Sequence, residues 1–115
     1  MIDLKLRTKE FALQIIRMLK NVPFSTTSSI LSKQLIRSAT SIGANYRSAL
    51  RGKSKADFIA KLAIAEEEAD ECCYWLDILI ELKITNLEES KKLLQEANEL
   101  TAILTASSKT AKATR

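Results

Sequence analysis

From Phe58 to Leu79 the apolar residues fall at strictly alternating steps of four and three: Phe58, Leu62, Ala65, Ala69, Cys72, Leu76 and Leu79. A helix turns once every 3.6 residues, so this spacing holds all seven side chains on one face and is incompatible with the two-residue period of a strand. The same rhythm recurs three more times. Leu4, Phe11, Ile15, Met18 and Val22 carry it first, with Ile16 and Leu19 widening the stripe. Leu31, Leu35, Ser38, Ile42, Asn45 and Ala49 carry it next, and Leu93, Leu94, Ala97, Leu100, Ile103 and Leu104 carry it last. With two glycines and one proline in 115 residues, the chain lacks the punctuation that tight hairpins need. Four helices in one domain are predicted.

Local chemistry marks where each helix should end. Pro23 lacks an amide proton and clashes with the turn before it, so it stops the first helix. The following "FSTTSS" offers several hydroxyls able to cap the second, which is expected over about residues 28–51. Ala39 and Gly43 form a small-residue step on that helix. A glycine there costs about 1 kcal/mol of helix propensity relative to alanine, which close approach of another helix would offset. Gly52 is expected to close the second helix in the left-handed conformation, and Ser54 with Asp57 resembles a capping box for the third, over about residues 55–82. "RGKS" therefore reads as a tight corner that folds the third helix back on the second. That antiparallel pairing would bring Ala49 near Phe58, Ile42 near Ala65 and Leu35 near Cys72, with Arg37 level with Asp70 and Glu71. Asn86 with Glu89 reads as the cap of the fourth helix. The bundle domain is expected over residues 1–106, and "SSKTAKATR", residues 107–115, is expected to be a flexible basic tail.

Charge is divided unevenly along the chain. Through Lys55, eleven basic residues stand against two acids; after it, seven stand against twelve. Such polarity implies either pairing of the two halves, within or between chains, or a basic face kept for a polyanion. Arg47, Arg51, Lys53 and Lys55 cluster at the corner, joined by Arg37, and these five are the candidate phosphate contacts. In "EEEADE", Glu66 with Asp70 and Glu67 with Glu71 have the four-residue spacing of a carboxylate pair, but the reading favoured is a solvated face or one that pairs with basic residues. Asn45 on the apolar stripe is expected to fix register across the seam.

Several function classes are disfavoured. The chain has no histidine, which removes the commonest general base and the Glu-x-x-His pairs of di-metal bundles. Its two cysteines, Cys72 and Cys73, are adjacent within a helical pattern, which suits neither a disulfide framework nor a zinc site. Both are expected reduced, Cys72 in the core. No glycine-rich phosphate loop, zinc finger or aromatic stacking platform is evident. No apolar run reaches the roughly 20 residues that span a bilayer, so a cytoplasmic location and no membrane partner are expected. No catalytic, metal or cofactor residue is assigned.

"LSKQLIRSATSIGANYRSA" followed by "SKADFIAKLAIAEEEADECCYWLDIL" resembles the four-helix-bundle family of bacterial intervening-sequence proteins. The resemblance runs over roughly residues 11–104. It is carried most specifically by Gln34, Leu35, Arg37, Ser38, Ala39, Ser41, Ile42, Asn45, Ser54, Asp57, Phe58, Ile64, Ala65, Glu68, Ala69, Tyr74, Trp75 and Leu76. It implies an all-α, up-down-up-down bundle that assembles as a ring-shaped homo-oligomer, commonly a pentamer. Among the relatives is the accessory protein of diversity-generating retroelements, so a reverse transcriptase or another protein is an implied partner. Ser48 and Glu67 depart from the family pattern, which usually has glutamate and lysine there, and both changes sharpen the charge polarity. The expected function is non-enzymatic, sequence-independent binding of RNA or DNA through the basic surface. The alternative is an oligomeric protein-interaction scaffold.

Overall fold

The computed structural model describes residues 3–114, which form four helices: α1 (Leu4–Leu19), α2 (Thr26–Leu50), α3 (Lys55–Glu81) and α4 (Leu87–Ala113). They run up-down-up-down in a rod of 49 × 21 × 20 Å. Each helix packs on its sequence neighbours, and α1 closes the circuit against α4 by the smallest of the four seams.

Every start has a side-chain cap that accepts from an otherwise unpaired amide of the first turn. Asp3 accepts from Leu6, Ser25 from Ser28, Ser54 from Asp57 and Asn86 from Glu89. Ser25 settles which hydroxyl of the first connector caps α2, and there the box is reciprocal: Ser28 Oγ accepts from the Ser25 amide at 2.9 Å.

The second corner is built differently from expectation. Gly52 does not take a positive φ. It is needed for space: a Cβ there would come within 2.8 Å of Asp57 Oδ2 and 3.0 Å of the Ala49 carbonyl. The left-handed residue is instead Lys83, at φ 56°, just past the end of α3. The Lys83 amide bonds to the Ile80 carbonyl and the Ile84 amide reaches back to that of Leu79, satisfying two of the carbonyls left free at the helix end, while Ile84 folds onto the core.

The core is the predicted set of stripes. Phe11, Ile15, Leu35, Ile42, Leu62, Leu76, Leu79, Leu100 and Leu104 are all essentially inaccessible to solvent. Each such side chain contributes about 1.5–3 kcal/mol by leaving water. Small residues take the positions where helices approach: Ala39, Ala65, Ala69 and Ala97 are fully buried beside them. At Gly43 the approaching helix is α1, since a Cβ would lie 3.1 Å from Thr8 Oγ1. Thr8 itself is buried and donates to the Leu4 carbonyl at 2.7 Å, so a polar side chain fills the gap in the first stripe between Leu4 and Phe11.

Two further expectations are corrected. Residues 107–113 continue α4 as helix, because Ser108 and Ala111 extend the inward face of Leu100 and Leu104 and meet the core. Thr, Lys and Ala tolerate a helix well enough for that contact to hold it. Arg115 lies outside the described residues. Asn45 makes no bond across the seam; its amide donates to the Ser41 carbonyl of its own helix at 2.9 Å.

Candidate nucleic-acid interface

The antiparallel register of α2 and α3 follows from Ser38, whose hydroxyl donates to Glu71 at 3.0 Å. That of α1 and α2 follows from Thr8 facing Gly43. The amino-terminal ends of α1 and α3 therefore lie at the same end of the rod as the carboxy-terminal end of α2. Arg47 stands one turn beyond Gly43 toward that end, about level with Lys5 on α1 and Lys61 on α3.

Two surface depressions meet there. One, of about 750 Å³, is walled by Arg47, Arg51, Lys53 and Lys61, with the Asp57 carboxylate inside it. The other, of about 560 Å³, lies between α1 and α2, with Lys5, Lys9 and Arg47 at its margin and Thr8 and Gly43 in its floor. Ala44 and Arg47, exposed on α2, border both, so the trough is a pair of adjoining grooves on either side of α2. Six cationic side chains of the described residues line it against two carboxylates, Asp3 and Asp57. Among the described residues, none of the six engages in an ion pair within the chain. Their charge is directed to solvent.

Of the five candidates from the sequence, Arg47, Arg51 and Lys53 come together in this trough. Lys55, the first residue of α3, is exposed nearby but lines neither depression. Arg37 stands apart. It lies toward the middle of the rod, donates to Glu68 at 2.8 Å and to Glu71, and is held as part of the α2–α3 seam. Glu71 raises the Arg37 pKa, while Trp75, Ser38 and Arg37 together hold the Glu71 carboxyl below its ordinary value. Lys5, Lys9 and Lys61 were not singled out by sequence reasoning. The i, i+4 spacing of Lys5 and Lys9 on one face, with Gly43 seating that helix, was the available signal.

The acidic run of α3 divides between neighbours. Glu66 accepts from Thr105 of α4, Glu68 and Glu71 face Arg37 of α2, and Glu67 and Asp70 are exposed. On the opposite seam Arg7 of α1 grips Glu96 through two bonds of 2.7 Å and Glu99 through one of 2.9 Å. Four of the five ion pairs among the described residues thus join the basic first half to the acidic second half. Internal pairing consumes Arg7 and Arg37 and leaves the six cations of the trough facing only Asp3 and Asp57 among the described residues. The two thiols are free, and desolvation raises both pKa values, which disfavours the nucleophilic thiolate. Among the described residues no helix is long and apolar enough to cross a membrane.

The family model described as 23S rRNA-intervening sequence protein matches residues 2–106. A crystal structure of a protein of unknown function from the S23 ribosomal protein family of Bacteroides thetaiotaomicron is 37% identical, with a TM-score of 0.86, covering 93% of this chain and 99% of its own. No curated protein matches.

Proposed function

The chain belongs to the 23S rRNA-intervening sequence protein family, and on that premise we propose that it is a non-enzymatic protein that binds RNA or DNA without sequence preference. The observation that carries this reading is the trough, where Lys5, Lys9, Arg47, Arg51, Lys53 and Lys61 converge without internal partners. Cations held at the margin of a groove displace condensed counterions from a phosphate backbone, and that release drives binding irrespective of base sequence.

The test is a salt titration with mixed-sequence RNA. Affinity should fall linearly on a double-logarithmic plot, and Arg47→Gln with Arg51→Gln and Lys53→Gln should lower the slope by about 3 while far-ultraviolet dichroism stays unchanged. Lys55→Gln should have a smaller effect. Unchanged binding in the triple variant, or none by the parent protein, would refute the reading.

Copies of the chain are proposed to assemble as a ring, so that weak contacts repeat around an axis and act together. Exposed Ile64 and Tyr74 on α3, with Leu82 just past its end, favour an interface with another protein surface, and a scaffold without nucleic-acid binding is the second reading. Mass in solution tests the assembly. A single species near the chain mass of 12.8 kDa would remove the ring.

A further inference from the structure

We infer that the trough takes the backbone of a paired nucleic acid in preference to an unpaired strand. This rests on the nucleic-acid reading above and narrows it to a ligand class. The first observation is what the trough contains. Its floor is small, with Thr8, Ala12, Gly43 and Ser48 among its residues, its margin is cationic, and among the described residues no aromatic ring lines either half. The exposed aromatics lie elsewhere: Phe24 is in the connector at the opposite end of the rod, and Tyr74 stands edge-on to Trp75 far along α3.

That absence decides between the two ligands. An unpaired strand is flexible, and proteins that hold one offset its ordering by stacking bases on aromatic faces, at about 1–3 kcal/mol per base. Here its bases would meet methyls, hydroxyls, ammonium groups and the guanidinium planes of Arg47 and Arg51, with no aromatic face to stack on. A duplex arrives with its phosphates already ordered and its bases already stacked, so a surface that offers only charge and a shallow groove binds it at little entropic cost. The dimensions agree. The trough crosses three helices on a rod about 20 Å wide, and duplex DNA presents one charge per about 1.7 Å along its axis, so several phosphates lie within reach of the six cations. A floor of small residues lets a backbone ridge descend between α1 and α2, bringing Lys5 and Lys9 into the contact together with Arg47.

The experiment is fluorescence anisotropy at fixed ionic strength with three probes of about 20 nucleotides or base pairs each: duplex RNA, duplex DNA and an unpaired homopolymer. Both duplexes are expected to bind at least tenfold tighter than the unpaired strand, the pair of duplex arms distinguishing RNA from DNA as the source of the backbone. Lys5→Gln with Lys9→Gln should lower the duplex salt slope by about 2 and leave the weak single-strand slope unchanged. Single-strand binding equal to or tighter than duplex binding overturns this inference and leaves the nucleic-acid reading standing. Failure of all three probes overturns both. Because Lys5 and Lys9 are exposed and unpaired, the double variant is expected to fold, which retention of the parental dichroism spectrum checks.

Discussion

The α2–α3 hairpin and the α1–α4 edge are both seams between antiparallel helices, yet they are held by different physics. In the hairpin, bulky residues such as Leu35, Ile42, Leu62 and Leu76 meet Ala39, Ala65 and Ala69 along two long helices, all of them out of solvent. The edge joins a 16-residue helix to α4 through the smallest seam of the bundle, and its most specific contacts are polar: Arg7 with Glu96 and Glu99, and Ser90 Oγ donating to Met18 Sδ at 3.5 Å. Close packing is insensitive to salt and pH; half-exposed ion pairs are not. The hairpin is therefore the rigid frame on which the basic corner is built. The edge is the part most readily loosened.

This contrast can be broken most forcefully from the hairpin side. Leu76→Ala removes a fully buried side chain and should cost about 2–5 kcal/mol, read from the urea midpoint. A loss below 1 kcal/mol would mean that the seam is not the tightly packed frame described.

The ion cluster within the hairpin comes next in size. Arg37→Ala strands Glu68, whose side chain is only 11% exposed, while Arg37 itself is 50% exposed. The buried-pair penalty is thereby discounted to about 1–2 kcal/mol. The same cluster gives a pH signature. The Glu71 carboxyl is held below its ordinary value of 4.5, so its contribution is fully present above pH 4.5 and is lost as the pH falls through the lower folded value. Urea midpoints of the parent should decline in that acid range, and Arg37→Ala should flatten the decline. Parallel pH curves for the two proteins would remove the cluster from the account.

The smallest effect belongs to the edge. Arg7→Ala should lower global stability by about 0.5–1 kcal/mol at low salt and less at high salt. Hydrogen exchange should accelerate in α1 before it does in α3. Equal acceleration in both helices would erase the distinction between the seams.

The two seams were also unequally legible in the sequence. Strict four-three spacing identified all four helices, and the small residues of α2 announced a close approach, though not that α1 makes it. Periodicity says which face is buried but not which neighbour covers it, so nothing pointed to Arg7 pairing with Glu96, 89 positions away. Gly52 reads in the sequence as a left-handed cap, whereas the Ala49 carbonyl and the Phe58 amide, 3.0 and 3.3 Å from where its Cβ would stand, are what leave no room there; a glycine after a basic turn fits both roles. The last turns of α4 were missed since Ser108 and Ala111 are too small to register as a stripe. At the candidate interface, Arg47, Arg51 and Lys53 were visible as a run of charge. Lys5, Lys9 and Lys61 join them only through the register of three helices, and Arg37 leaves them because its face of α2 turns toward Glu68 and Glu71.

The left-handed Lys83 marks the corner between α3 and α4, at the end of the rod away from the trough. Both Leu4 and Ala113, where the outer helices begin and finish, lie at the trough's own end. An affinity handle fused to either would therefore hang over the cationic groove and compete for it. A short epitope spliced beside the exposed Phe24, in the connector between α1 and α2 at the Lys83 end, would sit a full rod length away and leave the groove open.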